Sequence, residues 1–175
     1  MTDIMAAIGL VQLRRYPELL ARRYDMVRRY DAQLPQEVLR PAHLRPDMIS
    51  DCHLYLARLP GKTHETRSAV ITRMAERGVA CNVHYKPLPL LTAYKNLGFR
   101  MEEYPNAYAQ FENEITLPLH TLLSDEDIDY VCACLKECLY CQCWNSRLPF
   151  GFHLRGGFTA SGCLILSVRH WGCWF

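Results

Sequence analysis

The sequence predicts an α+β fold: a small sheet of three or four strands packed by helices, preceded by a long N-terminal helical segment. Three observations carry that expectation. Apolar residues recur at helical spacing through the first thirty-odd positions, after which segments of helical and of alternating period interchange along the chain. The strand-like runs are short, and turn or breaker residues follow them. Half of the residues are hydrophobic and 22% are charged, ordinary values for a chain of 175 residues that buries one core.

Thr2 or Asp3 caps a first helix, in which Ile4, Ala7, Ile8 and Val11 recur at helical spacing and Leu10 and Leu13 broaden the stripe. This helix is apolar around most of its circumference, so it requires cover on more than one side. Pro17 suits the first turn of a second helix reaching about Leu34, with Leu19, Leu20, Met26, Val27 and Tyr30 as its apolar residues. Pro35, Pro41 and Pro46 mark a connection, and Cys52 to Leu59 alternates as a strand closed by Pro60-Gly61. Thr63 to Arg77 is a helix with Val70, Ile71 and Met74 inward and Gly78 as its C-terminal cap. Val79 to Tyr85 is the next strand. A short helix spans Leu91 to Leu97 before Gly98, and another runs from about Pro105 to Asn113. The strand Glu114 to Leu117 ends at Pro118. Ser124 then caps a final helix, with Asp127 in the capping-box position and Ile128, Val131, Cys132 and Leu135 facing inward.

Composition changes at about Tyr140. All three tryptophans lie beyond it, glycines punctuate the text, and no acidic residue occurs. We therefore divide the chain into a domain over 1–138 and an atypical Cys/Trp/Gly-rich tail over 139–175, expected to derive from a shifted reading frame or a similar accident. The formal charge of +2 exerts no strong pull on nucleic acid or acidic membrane. The arginine pairs at 14–15, 22–23 and 28–29 are irregularly spaced and interrupted by acids, which reads as a solvated helix face. No apolar run reaches membrane-span length, and the N-terminus is not a signal peptide. Seven of the nine cysteines fall between Cys132 and Cys173, unlike a disulfide scaffold, so a reduced, cytoplasmic domain is expected.

The segment from Val79 to Tyr94 is the most informative. A β-type run ends in His84, Tyr85 and Lys86, and Pro87 and Pro89 then stop strand pairing. Three side chains of different chemistry thus stand at a strand end, where scaffolds present ligand-contacting groups. The competing reading is a surface loop with a snorkelling lysine.

Taken in order, the motifs resemble one family. They are Met1-Thr-Asp-Ile-Met-Ala-Ala-Ile-Gly-Leu-Val-Gln-Leu13, His53-Leu-Tyr, Arg77-Gly-Val, Val83-His-Tyr-Lys-Pro, Tyr104-Pro-Asn-Ala and Leu117-Pro-Leu-His-Thr-Leu-Leu-Ser-Asp-Glu-Asp. Residues 1 to 138 resemble the C-terminal portion of the DegT/StrS family of pyridoxal-phosphate-dependent nucleotide-sugar aminotransferases. The resemblance implies a sugar aminotransferase small domain whose Schiff-base lysine and cofactor-binding large domain lie upstream, with Met1 at an internal position. It further implies that His84, Tyr85, Lys86 and, nearby, Asn82 contact the nucleotide sugar. Pro89 stands where many relatives have a histidine after the proline-leucine pair. His53 and His120 lie in family motifs, yet each is expected to be a packed or turn histidine. Ile4, Ile8 and Val11 are expected to meet the missing large domain or a homodimer partner.

The residues agree with a missing catalytic half. Transamination needs an activated amine, a partner for the pyridinium nitrogen and a phosphate cradle. The four lysines are Lys62, Lys86, Lys95 and Lys136, and no glycine-rich strand-to-helix turn is present. No catalytic residue and no pyridoxal phosphate bound by this chain alone are therefore expected. The alternative is a non-catalytic module that binds nucleotide sugar or a subunit. A third reading is a metal site through Cys132, Cys134, Cys138, Cys141 and Cys143. No second Cys-x-x-Cys or His pair completes it, so core cysteines and no metal are expected.

Overall fold

The computed structural model describes residues 1–140, and the tail beyond them lies outside the described residues. In chain order the elements are α1 (Asp3–Gln33), β1 (Leu44–Arg45), β2 (Met48–Ile49), β3 (Tyr55–Arg58), α2 (His64–Glu76), α3 (Thr92–Asn96), α4 (Pro105–Asn113), β4 (Glu114–Leu117) and α5 (Asp125–Tyr140). The class is α+β as expected. Single 3₁₀ turns at Leu88–Leu90 and Met101–Glu103 flank α3.

Helix α1 is one helix of 31 residues where two were expected on either side of Pro17. A proline inside a helix removes one donor, here the one that would reach the Leu13 carbonyl. Leu13 is exposed, so water can occupy that acceptor. Thr2 caps the start through its side chain, which accepts from the Met5 amide. Met26, Val27 and Tyr30 are fully buried near the C-terminal end. The N-terminal end differs: Ile4, Met5, Ile8, Leu10, Val11 and Leu13 are 51% to 75% exposed.

Strands β3 and β4 pair antiparallel, with Tyr55 opposite Leu117 and Arg58 opposite Glu114. An isolated bridge lies on either side of this ladder, Leu39 to Arg58 and Asn82 to Thr116. The expected strand over Val79 to Tyr85 is thus reduced to one bridging residue. Beyond Asn82 the backbone donors are taken by side chains rather than by a ladder: the Val83 amide donates to Asn82 Oδ1 and the His84 amide to Glu114 Oε2. The proline-marked connection also holds an unforeseen hairpin, with Leu44 opposite Ile49 and Arg45 opposite Met48.

Helix α5 packs against α1 and α2, and α2 against α4 and β4. Tyr30, Tyr55, Met74, Ile115, Ile128 and Leu135 form the centre of this core, all fully buried. The Tyr30 hydroxyl donates to the Pro118 carbonyl at 2.8 Å, and the Tyr55 hydroxyl to Asp31 at 2.7 Å. The capping box at Ser124 forms in both directions: the Ser124 amide donates to Asp127, and the Asp127 amide to the Ser124 hydroxyl.

The reading of the arginine pairs as a solvated face holds for Arg28 and fails for Arg22 and Arg29. Arg22 reaches Asp125 at 2.7 Å and the Leu123 carbonyl at 2.6 Å. Arg29 grips both oxygens of Asp129 at 2.6 Å and also meets Asp125 at 3.1 Å. The Arg29 guanidinium, together with the Gln33 amide, pulls the Asp129 carboxyl down to about 2. These arginines fasten α1 to the start of α5.

Candidate functional site

Asn82, His84, Tyr85 and Lys86 are brought together on one segment beside β4. The Asn82 backbone exchanges both of its hydrogen bonds with Thr116, at 3.2 and 2.8 Å, which fixes the segment to the sheet. From there the chain leaves the ladder and presents its side chains. Tyr85 is 72% exposed, and its ring meets the half-buried His84 imidazole edge-on at 4.6 Å. The His84–Tyr85 peptide bond is cis. Lys86 is exposed and makes no ion pair among the described residues. Pro87 starts a 3₁₀ turn, and Pro89 is buried in it. The side chain at 89 therefore serves packing and contributes no polar contact. Pro87, Leu88, Tyr94, Phe99 and Tyr104 line an adjoining apolar groove of about 340 Å³.

Beneath this segment lies a polar pair that sequence reasoning missed. Glu114 and Thr116 sit two residues apart on β4, so their side chains share one face of the strand. Both are buried. The Thr116 hydroxyl donates to Glu114 Oε1 at 2.6 Å, Glu114 Oε2 accepts the His84 amide at 3.0 Å, and Thr116 Oγ1 lies 2.8 Å from His84 Nδ1. Burial pushes the Glu114 carboxyl upward, while the Thr116 hydroxyl and the His84 amide counteract it. Buried Arg67 adds positive charge toward Glu114 and donates to the Phe111 carbonyl at 3.2 Å. The sequence carries no signal for the pair, since the alternation Glu114-Ile115-Thr116-Leu117 reads as a strand with one solvated face.

His53 is exposed, with its amide donating to Asp51 in a local turn. His120 is half-buried, and burial lowers its pKa. His43, which the sequence did not single out, stacks on Tyr55 and contacts the Ser50 hydroxyl through Nδ1 at 3.0 Å. Its Nε2 is buried without a partner.

Among the described residues, no group of three metal-ligating side chains could hold a metal ion. Cys132, Cys134 and Cys138 are buried in α5, and burial pushes the Cys132 thiol up to about 11. A raised thiol pKa is the opposite of what a thiolate ligand requires. Cys141 and Cys143 lie outside the described residues. No helix of the described residues is long and apolar enough to cross a membrane.

The described residues do not fit pyridoxal phosphate. None of the four lysines is buried, so none stands in the apolar pocket that a Schiff-base lysine uses. The first turn of α5 carries Asp125, Glu126 and Asp127, which repel a phosphate. The first turn of α2 is closed by a Thr63–Thr66 capping box.

Comparison with known proteins gives one consistent result. The profile described as the DegT/DnrJ/EryC1/StrS aminotransferase family matches residues 1–136. The chain is 31% identical over 144 residues to the spore coat polysaccharide biosynthesis protein SpsC of Bacillus subtilis, covering 78% of this chain and 36% of that protein. It is 32% identical over 128 residues to the dTDP-4-dehydro-2,3,6-trideoxy-D-glucose 4-aminotransferase of Saccharopolyspora spinosa, covering 72% of this chain and 31% of that enzyme. Among solved structures, it resembles "Putative sugar aminotransferase Spr1654 from Streptococcus pneumoniae, PMP-form" at 56% identity and a TM-score of 0.77, over 79% of this chain and 35% of that one. The PLP-form of the same protein matches at 55% identity and a TM-score of 0.75, over 79% and 37%. The chain thus spans about a third of the length of the relatives it matches.

Proposed function

Because the chain belongs to the DegT/DnrJ/EryC1/StrS aminotransferase family, we propose that it forms the substrate-side portion of a sugar aminotransferase. The complete enzyme would transfer an amino group to a keto sugar nucleotide, with pyridoxal phosphate supplying the electron sink. The observation that carries this reading is the segment in which half-buried His84 is followed by exposed Tyr85 and Lys86, within a family match that covers about a third of the relatives' length. Lys86 offers a point charge to a diphosphate. Tyr85 offers a ring face and a hydroxyl, and Asn82 and His84 offer polar atoms beside them. The Schiff-base lysine of the family is not among the residues of this chain on this reading, so the chain alone is inactive in transamination.

Ile4, Ile8 and Val11 would meet the cofactor-binding domain or a second copy of the chain, in a cytoplasmic dimer working in polysaccharide biosynthesis. Their exposure also supports a second reading, a non-catalytic module that binds nucleotide sugar or docks on a separate subunit.

An absorbance titration of the 175-residue chain with pyridoxal phosphate, followed by borohydride reduction and intact mass, tests the division of labour. The expected result is no aldimine band and no stoichiometric added mass. A reducible adduct at one lysine, Lys86 above all, would make the chain a cofactor-binding protein and overturn the reading.

A further inference from the structure

The hydrogen bonds around β4 fix more than the position of the loop. Threonine has one hydroxyl proton to give. The Thr116 hydroxyl has two polar neighbours, Glu114 Oε1 at 2.6 Å and His84 Nδ1 at 2.8 Å, and it can donate to only one of them. Glu114 also accepts the His84 amide through Oε2 at 3.0 Å and faces the charge of Arg67, partners that suit a carboxylate. The 2.6 Å distance lies in the range of a charge-assisted O–H···O⁻ bond, with the carboxylate as the stronger acceptor. The hydroxyl then has only lone pairs left for the imidazole, so Nδ1 must carry a proton and donate. The opposite arrangement would turn the hydroxyl toward Nδ1 and leave a buried carboxylate oxygen without its donor, which is costly at a site with 1% exposure.

We infer that Glu114 and Thr116 are positioning residues that hold neutral His84 in the Nδ1–H tautomer and leave Nε2 as its acceptor nitrogen. No hydrogen bond within the described protein engages Nε2. It is not a buried unpaired atom either; among the described residues the only such side-chain atom is His43 Nε2. His84 Nε2 is therefore open to a ligand donor, and a sugar hydroxyl is the donor class that an acceptor nitrogen beside Tyr85 and Lys86 would take. The identity of that ligand rests on the function proposed above, whereas the tautomer does not.

The test reads the tautomer directly, by proton–nitrogen correlation spectra of the histidine rings in the full chain, at a pH where His84 is neutral. The His84 signal is assigned by its loss in His84→Phe. The wild-type chain is expected to show a protonated Nδ1 and an unprotonated Nε2. In Glu114→Gln the side-chain carbonyl oxygen must still meet the His84 amide, which turns the NH₂ toward Thr116. The hydroxyl then donates to Nδ1, and the tautomer inverts to Nε2–H. Thr116→Ser keeps the wild-type pattern, whereas Thr116→Val loses it.

A wild-type spectrum with Nε2–H overturns the inference without any variant. So does a folded Glu114→Gln chain that keeps the Nδ1–H pattern. If Glu114→Gln does not fold, the wild-type spectrum and the Ser and Val variants still decide. No ligand enters these spectra, so a failure to bind nucleotide sugar counts against the proposed function and leaves the tautomer result standing.

Discussion

Replacing Pro17 by alanine tests whether the N-terminal part of α1 is an unpartnered arm. The helix before Pro17 runs from Asp3 to Tyr16, and Ala6 is its only residue that is even half-buried. An isolated helix of that length is marginal in water, below roughly 15 residues. Proline costs about 3 kcal/mol relative to alanine in a helix interior. That difference already contains the greater freedom of alanine in the unfolded chain and corresponds to a shift toward the helix of roughly 100-fold, since about 1.4 kcal/mol is a factor of ten. Amide hydrogen exchange should therefore slow by up to about that factor over the arm and across position 17. The core at Met26, Val27 and Tyr30 should not respond, and the urea midpoint should move by no more than about 0.5 kcal/mol in stability terms. The reasoning fails if the wild-type arm already exchanges as slowly as Met26 to Tyr30, because its apolar face would then be covered in the chain itself.

Two further outcomes follow from the core and its charges. Ile128→Ala removes a fully buried side chain from α5, so urea denaturation should show a loss of about 2–5 kcal/mol, a large share of an ordinary domain's stability; a loss well below that range would mean that α5 does not seal the core. Burial lowers the pKa of His43 against the opposing pull of Asp31 and Asp51, and it lowers that of His120 as well. An imidazole kept neutral by the fold contributes stability that is complete above its unfolded value of 6.5 and is lost as pH falls through the lower folded value. Urea midpoints should therefore fall from neutral pH into that window, and His43→Phe should flatten the decline; an unchanged slope would contradict the assignment.

Local rules read much of this fold. The ends of α4 and β4, the start of α2 beside Thr63 and the Ser124–Asp127 box depend on residues within a few positions of one another, and the sequence holds that information. The misreadings depend on distant partners or on solvent. Pro17 looks like a helix start until the exposure of Leu13 is known. Arg22 and Arg29 look solvated until Asp125 and Asp129, about a hundred residues away, arrive beside them. Val79 to Tyr85 alternates like a strand, yet only Asn82 pairs, because Glu114 takes the His84 amide. At the candidate site the exposure of Tyr85 and Lys86 was legible, whereas the strand expected to lead to them is reduced to the Asn82 bridge. The buried Glu114–Thr116 pair was not legible, since a lone acidic residue at a strand start gives no hint of 1% exposure.

Whether the Asn82–Lys86 segment binds a sugar nucleotide is decided by a titration of the isotopically labelled full chain with UDP-, dTDP- and GDP-linked glucose, followed by backbone amide shifts. Perturbations are expected only at Asn82–Lys86 and the adjoining Glu114–Thr116, for at least one of the three. Lys86→Ala should weaken that binding roughly fivefold, the effect of about 1 kcal/mol for one charge against a phosphate in water-like surroundings. Perturbations confined to Ile4–Leu13 or to the groove at Leu88 and Tyr94, or none for any of the three at millimolar concentration, would contradict binding at Asn82–Lys86.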